Sequence, residues 1–175
     1  AADIDEAVKL LEAKGVSCKR LQVSGAFHSP AMAKARDAFA AELAKAKLGQ
    51  PQGPRFVSTV SGNAEEEAIA APEYWASQIT KPVRFQAAVE TLAKECELFL
   101  EIGGTAALSS LIAQTVEKNT TVATLSPKAG AIKTSFDAAA ALYRAGATPD
   151  FKALYAPFDV AKALLPNYPF QRQQY

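Results

Sequence analysis

Between residues 55 and 125 the chain alternates short apolar runs with stripes of apolar residues three or four apart, and few folds accept that alternation. Parallel strands need a crossover between them, usually a helix, because a tight turn cannot join them. Arg55 to Val60 reads as a short strand ending in the turn Ser61-Gly62-Asn63. Phe85, Ala88, Val89 and Leu92 then form a helical stripe, and Leu98 to Ile102 reads as a buried strand that stops at Gly103-Gly104. Leu108, Leu111, Ile112 and Thr115 continue as helix, and Thr121 to Leu125 as strand. The class this predicts is α/β, a parallel sheet with helices on its faces.

The flanking segments are consistent with that class. Asp3 with Glu6 three positions on, then Val8, Leu10 and Leu11, predicts a helix over residues 3 to 14 stopped by Gly15. Val16 to Ser24 suits a strand, residues 25 to 29 a sharp turn, and Ser29-Pro30 the start of a helix. In that helix Met32, Ala35, Phe39, Leu43 and Ala46 recur on one face, as far as about Leu48. The acidic run Glu65 to Glu67 reads as a solvated face, and Tyr74-Trp75 as core or rim aromatics. After Pro127 an alanine-rich helix, Ile132 to Ala145, ends at Gly146. The last stretch sets Pro157, Pro166 and Pro169 among aromatic and aliphatic residues, so it is expected to be extended and ordered over 157 to 172, with Tyr168 and Phe170 packed on the protein.

Composition excludes several functions. With 175 residues, 49% of them hydrophobic, the chain is too apolar for disorder and long enough for one domain or a piece of one. Nineteen basic residues against eighteen acidic ones leave a charge of +1, which supplies no field for nucleic acid or an anionic membrane. Apolar runs are far short of the roughly 20 residues that cross a bilayer, so a soluble, cytoplasmic protein is expected. Cys18 and Cys96 have no CxxC spacing, and the single histidine, His28, excludes a multi-histidine metal site; no metal is expected.

His28 lies in the turn between predicted strand and helix, the sheet edge where α/β proteins present reactive groups. A reference pKa of about 6.5 suits a general base, but a base needs a nucleophile and no GxSxG elbow occurs in the chain. Gly103-Gly104 belongs to neither a full GxGxxG nor a GxxxxGK, and a tight strand-to-helix turn is the simpler reading.

Four ordered blocks carry a family resemblance. Val23-Ser24-Gly25-Ala26-Phe27-His28-Ser29-Pro30-Ala31-Met32 resembles the histidine motif of malonyl-type acyltransferase domains in modular polyketide synthases. Tyr74 to Phe85 is similar to the family's YW…PVRF block, and Leu100-Glu101-Ile102-Gly103-Gly104 to its E-(I/L)-G-P-G turn, with glycine in place of proline. Leu165-Pro166-Asn167-Tyr168-Pro169-Phe170-Gln171-Arg172 resembles the LPxYPFQR signature of the linker after the acyltransferase.

The resemblance implies the C-terminal half of an α/β-hydrolase-like large subdomain plus the end of a ferredoxin-like small one. Residues 1–24 would end the small subdomain, 25–128 would form the C-terminal part of the large one, and 129–175 the post-acyltransferase linker. The family's serine elbow, carboxylate-binding arginine and oxyanion glutamine would precede residue 1, so the N-terminal half of the domain is an implied partner. The implied reaction carries malonyl from malonyl-CoA, through an acyl-serine, to the phosphopantetheine thiol of an acyl carrier protein, with no covalent cofactor. His28 matches the catalytic base. Gln78 matches the position whose backbone carbonyl holds the other ring nitrogen, which leaves its side chain free to vary. Gly25, Ala26 and Phe27 fall at the acyl pocket, where Phe27 favours malonyl over an α-methyl branch. The ketosynthase and its linker are further implied partners. Two other readings stay open: a free-standing malonyl-CoA transacylase of the fatty-acid type, against which the tail argues, and a non-catalytic docking or linker segment in which His28 is idle.

Overall fold

The computed structural model describes residues 2–18, 23, 25–126, 129–161 and 163–173, which divide between two units, 1–85 and 86–175. In the first unit, helix α1 (Ala2–Glu12) has Asp3 and Asp5 in its first turn and Lys9 in its last, each complementing the helix dipole. Gly15 ends it with φ of 76°, and the Val16 amide returns to the Leu11 carbonyl at 3.0 Å, a Schellman-type stop that only glycine enters without strain. Ile4, Leu10 and Leu11 stay exposed on α1. Of the strand expected over Val16 to Ser24, residues 16–18 and 23 have no regular structure, and 19–22 and 24 lie outside the described residues.

A 3-10 turn, Pro30–Met32, leads into α2 (Ala33–Leu43), which is shorter than the expected reach to Leu48. The amides of Lys45 and Ala46 bond carbonyls three residues back, so the helix tightens and ends there. Its half-buried line is Ala33, Arg36, Ala40 and Leu43 rather than the line through Ala35 and Phe39. In an alanine-rich helix two neighbouring faces differ little in apolarity, and packing against α3 (Pro72–Gln78) selects between them.

The strand expected over Arg55 to Val60 is reduced to one antiparallel bridge, Val57 to Ala64. The Ser58 hydroxyl accepts the amides of Val60 and Ser61 at 3.0 and 3.4 Å, and Gly62 takes φ of 82°. Those local bonds draw the backbone out of a ladder and into a tight loop.

The second unit keeps the alternation. Helix α4 (Phe85–Leu92) buries Ala88 and Val89, and is followed by β1 (Leu98–Glu101), α5 (Ser109–Thr115) and β2 (Thr120–Ala123). The two strands pair in parallel, Leu98 opposite Thr120 through Glu101 opposite Ala123, and α5 and α6 (Ala131–Arg144) pack on β2. Phe99, Ile112, Ala138 and Ala139 are buried with them, while Leu100 and Ile102 are exposed, so β1 is buried on one face only. After α7 (Phe151–Tyr155), capped by Asp150, Phe158 still packs on Phe136 with ring centroids 5.8 Å apart. Beyond it the chain is extended but unpacked: Tyr168 and Phe170 are 75% and 80% exposed and touch each other at 5.1 Å. The expectation that they pack on this protein is overturned. Prolines at 166 and 169 fix the backbone and remove amide donors, and among the described residues no surface covers the aromatic rings. No described helix is long and apolar enough to cross a membrane.

Candidate active site

The turn at residues 25–29 is built by its hydrogen bonds. Ser29 sits at the N-cap position before Pro30, yet its hydroxyl donates back to the Ala26 carbonyl at 2.6 Å instead of capping the helix. His28 lies inside that closed turn with φ of 59°, the left-handed region that a non-glycine residue seldom occupies. Such a backbone persists only where the surroundings hold it. Here the His28 amide donates to the Ile79 carbonyl at 3.0 Å, and the ring Nδ1 lies 2.9 Å from the Gln78 backbone oxygen.

Both acceptors come from the end of α3, where the last carbonyls of a helix have no partner within it. Main chain and side chain of one residue thus satisfy two successive carbonyls of another element. A carbonyl can only accept, so Nδ1 carries the proton in this bond and Nε2 holds the free lone pair. The His28 side chain is exposed, which leaves that lone pair accessible. The arrangement is an imidazole fixed in orientation and tautomer, presenting a proton acceptor at an open edge.

The other residues named from the sequence surround it unevenly. Phe27 is 54% exposed beside the histidine. A Cβ built on half-buried Gly25 would touch its ring at 3.9 Å, an ordinary contact. Ala26 is exposed and contributes its carbonyl to the turn. Gln78 contributes its carbonyl, but its side chain is not idle: Nε2 donates to the Tyr74 hydroxyl at 3.3 Å, and that hydroxyl donates to Ser58 at 2.6 Å. Ser58 and the Ile79 carbonyl were not singled out from the sequence, and Tyr74 was read there as a core or rim aromatic of the YW…PVRF block, with no link to Gln78. The spacing of four between Tyr74 and Gln78 was the available signal, since it stacks two polar groups on one helix face.

The Gly103-Gly104 turn is closed by Glu101. Its carboxylate accepts the amides of Leu108 and Ser109 at 3.1 and 2.7 Å and the Ser109 hydroxyl at 2.5 Å. Desolvation pushes this carboxyl up, but the Ser109 hydroxyl and the amides of Leu108, Ser109 and Ala107 outweigh it and hold the group below its ordinary value. The start of α5 is therefore already served by an internal anion and is not arranged as a phosphate cradle. A concavity of about 670 Å³ along Phe151, Lys152, Tyr155, Phe158 and Val160 is apolar apart from one lysine and offers no acid–base pair.

Known proteins share this sequence and fold. A family model for the acyl transferase domain matches residues 1–147. Polyketide synthase GfsB of Streptomyces halstedii is 34% identical across all of this chain, and polyketide synthase GfsA of the same organism 32% identical across 95% of it. The chain spans only 3% and 2% of those synthases. The solved acyltransferase domain from the second module of the salinomycin polyketide synthase superposes with a TM-score of 0.82 at 26% identity, over 97% of this chain and 40% of that one. A malonyl-CoA:acyl carrier protein transacylase from Xanthomonas oryzae reaches 0.65 at 26% identity, over 73% of this chain and 41% of that one. With the family match running through both units and synthase relatives aligned along nearly every residue, this chain belongs to the acyl transferase domain family, as part of an acyltransferase domain of the modular polyketide synthase type.

Proposed function

We propose that this chain supplies the histidine side of an acyltransferase site that loads malonyl from malonyl-CoA onto the phosphopantetheine thiol of an acyl carrier protein. The observation that carries the reading is the His28 ring held through Nδ1 by the Gln78 carbonyl, with Nε2 free. In the first half-reaction Nε2 takes the proton of a serine supplied by residues outside this chain, and the serine oxygen attacks the thioester carbonyl. The carbon–sulfur bond breaks, and the imidazolium returns the proton to the departing coenzyme A thiolate. In the second, Nε2 takes the proton of the phosphopantetheine thiol, the thiolate attacks the acyl-serine, and the proton goes back to the serine oxygen. Gln78 replaces the carboxylate of a Ser-His-Asp triad with a neutral carbonyl. Phe27, with Gly25 and Ala26, would narrow the acyl site so that an α-methyl branch is crowded.

In the same reading residues 1–24 end a ferredoxin-like small subdomain, 25–128 belong to an α/β-hydrolase-like large subdomain, and 129–175 are a linker that meets a ketosynthase linker. The exposed Tyr168 and Phe170 supply that linker's contact groups. Alignment with synthases along the whole chain, tail included, favours this over a free-standing transacylase. The test is transfer of radiolabelled malonyl from malonyl-CoA to an acyl carrier protein by the synthase that contains this chain, beside the chain alone. Transfer by the synthase and no stoichiometric malonyl adduct on the chain support the reading; an adduct on the isolated chain overturns it.

A further inference from the structure

Ser58, 0% exposed, is the buried polar side chain among the described residues of the first unit, and three donors converge on its oxygen. Two are the amides of Val60 and Ser61, and the third is the Tyr74 hydroxyl at 2.6 Å. Tyr74 in turn accepts the Gln78 side-chain amide at 3.3 Å. The protons of this chain all run one way, from Gln78 through Tyr74 to a serine whose own place is set by backbone. Gln78 is thus held at two points, by its amide to the buried network and by its main-chain oxygen to the His28 ring.

Helix α3 has only seven residues, too few to be stiff by itself, so what anchors its last turn decides where its final carbonyls point. In the middle of the helix the Trp75 indole donates to the Ile69 carbonyl at 2.8 Å. Near the last turn, the side-chain anchor is the Tyr74 hydroxyl.

We infer that Tyr74 is a positioning residue: its hydroxyl, seated on Ser58, anchors the Gln78 side chain and thereby aims the Gln78 carbonyl that selects the Nδ1–H tautomer of His28. The inference rests on the reading of His28 as the proton carrier. Buried hydrogen-bonded chains of this kind act as units, so losing one link releases the rest.

Because the chain has one histidine, imidazole ¹⁵N shifts report its tautomer without ambiguity. Tyr74→Phe removes only the hydroxyl and keeps the ring contacts with Phe56 and Trp75, at 6.2 and 5.2 Å. Gln78→Ala removes the amide and keeps the carbonyl. In the wild-type chain the Nδ1–H form should dominate. Each single variant should lower the ratio of Nδ1–H to Nε2–H by about 2- to 13-fold, the range of one net hydrogen bond, and the double variant should fall no further. In the synthase, Tyr74→Phe should lower kcat for malonyl transfer by a similar factor with KM for malonyl-CoA unchanged. A wild-type Nδ1–H form that neither variant disturbs, or strictly additive losses in the double variant, would overturn the role of Tyr74 and leave His28 as the base. A dominant Nε2–H form in the wild type would overturn both.

Discussion

The Nδ1 atom of His28 lies 2.9 Å from the main-chain oxygen of Gln78, fifty residues further along the chain. The next carbonyl, that of Ile79, takes the His28 amide, so ring and backbone are clamped by the same peptide pair. Replacing the imidazole leaves that clamp half intact, because the backbone bond does not depend on the side chain. His28→Ala in the synthase should lower malonyl transfer by roughly 10²-fold or more, the scale of a lost general base, with the circular dichroism of the domain unchanged. Transfer at the wild-type rate would remove His28 from the mechanism.

Phe27 stands next to the base and is the large residue of the turn. Phe27→Ser should relax the choice between malonyl-CoA and methylmalonyl-CoA. One methyl group in an apolar pocket is worth about 1 to 3 kcal/mol, so competition assays should show a shifted product ratio and not a complete exchange. An unchanged ratio would place the acyl pocket's wall elsewhere.

Glu101 gives the second unit an acid-sensitive joint. Its carboxyl is held below the ordinary value of 4.5 in the folded chain, so its stabilising effect is complete above that pH and fades as pH falls through the lowered folded value. Urea midpoints measured from pH 6 downward should therefore decline on acidification, and Glu101→Gln should flatten part of that decline. Identical slopes for the two chains would mean that the Ser109 and Leu108 bonds add nothing to stability.

Ile112 is 8% exposed in α5, which packs on β2. Truncation to Ala should cost about 2 to 5 kcal/mol from lost burial and the cavity left behind, read from the urea midpoint. A cost below about 1 kcal/mol would show that the unit relaxes around the gap.

The tail should divide at Phe158. In this chain, amide exchange should be fast over 163–173 and slow through α6, and Tyr168→Ala should leave the melting temperature unchanged, since its ring is exposed. Phe158→Ala should lower it by removing the contact with Phe136. Protection across 163–173 in the isolated chain would mean that the tail docks on its own chain after all.

The second unit was legible because its signals are local and agree. Apolar spacing marked α4, β1, α5, β2 and α6 to within one or two residues. The crossover rule by itself predicts that the strand pair is parallel. The first unit was less legible. A serine hydroxyl at position 58 competes for backbone amides, and that competition, invisible to hydrophobic period, replaced a strand with a loop. The tail failed for another reason. Its aromatics raise an expectation of burial, but composition does not state which surface, if any, covers them.

By itself the sequence determined the α/β alternation, the turn that carries His28 and the family motifs around it, because these depend on residues within a few positions of one another. Only the tertiary structure decided that His28 takes a left-handed backbone, that its ring and amide meet successive carbonyls of α3, and that the Gln78 side chain is tied through Tyr74 to a buried serine. Hydrogen bonds bridging tens of residues leave no period in a sequence, since each partner is an ordinary polar group until folding removes water from between them.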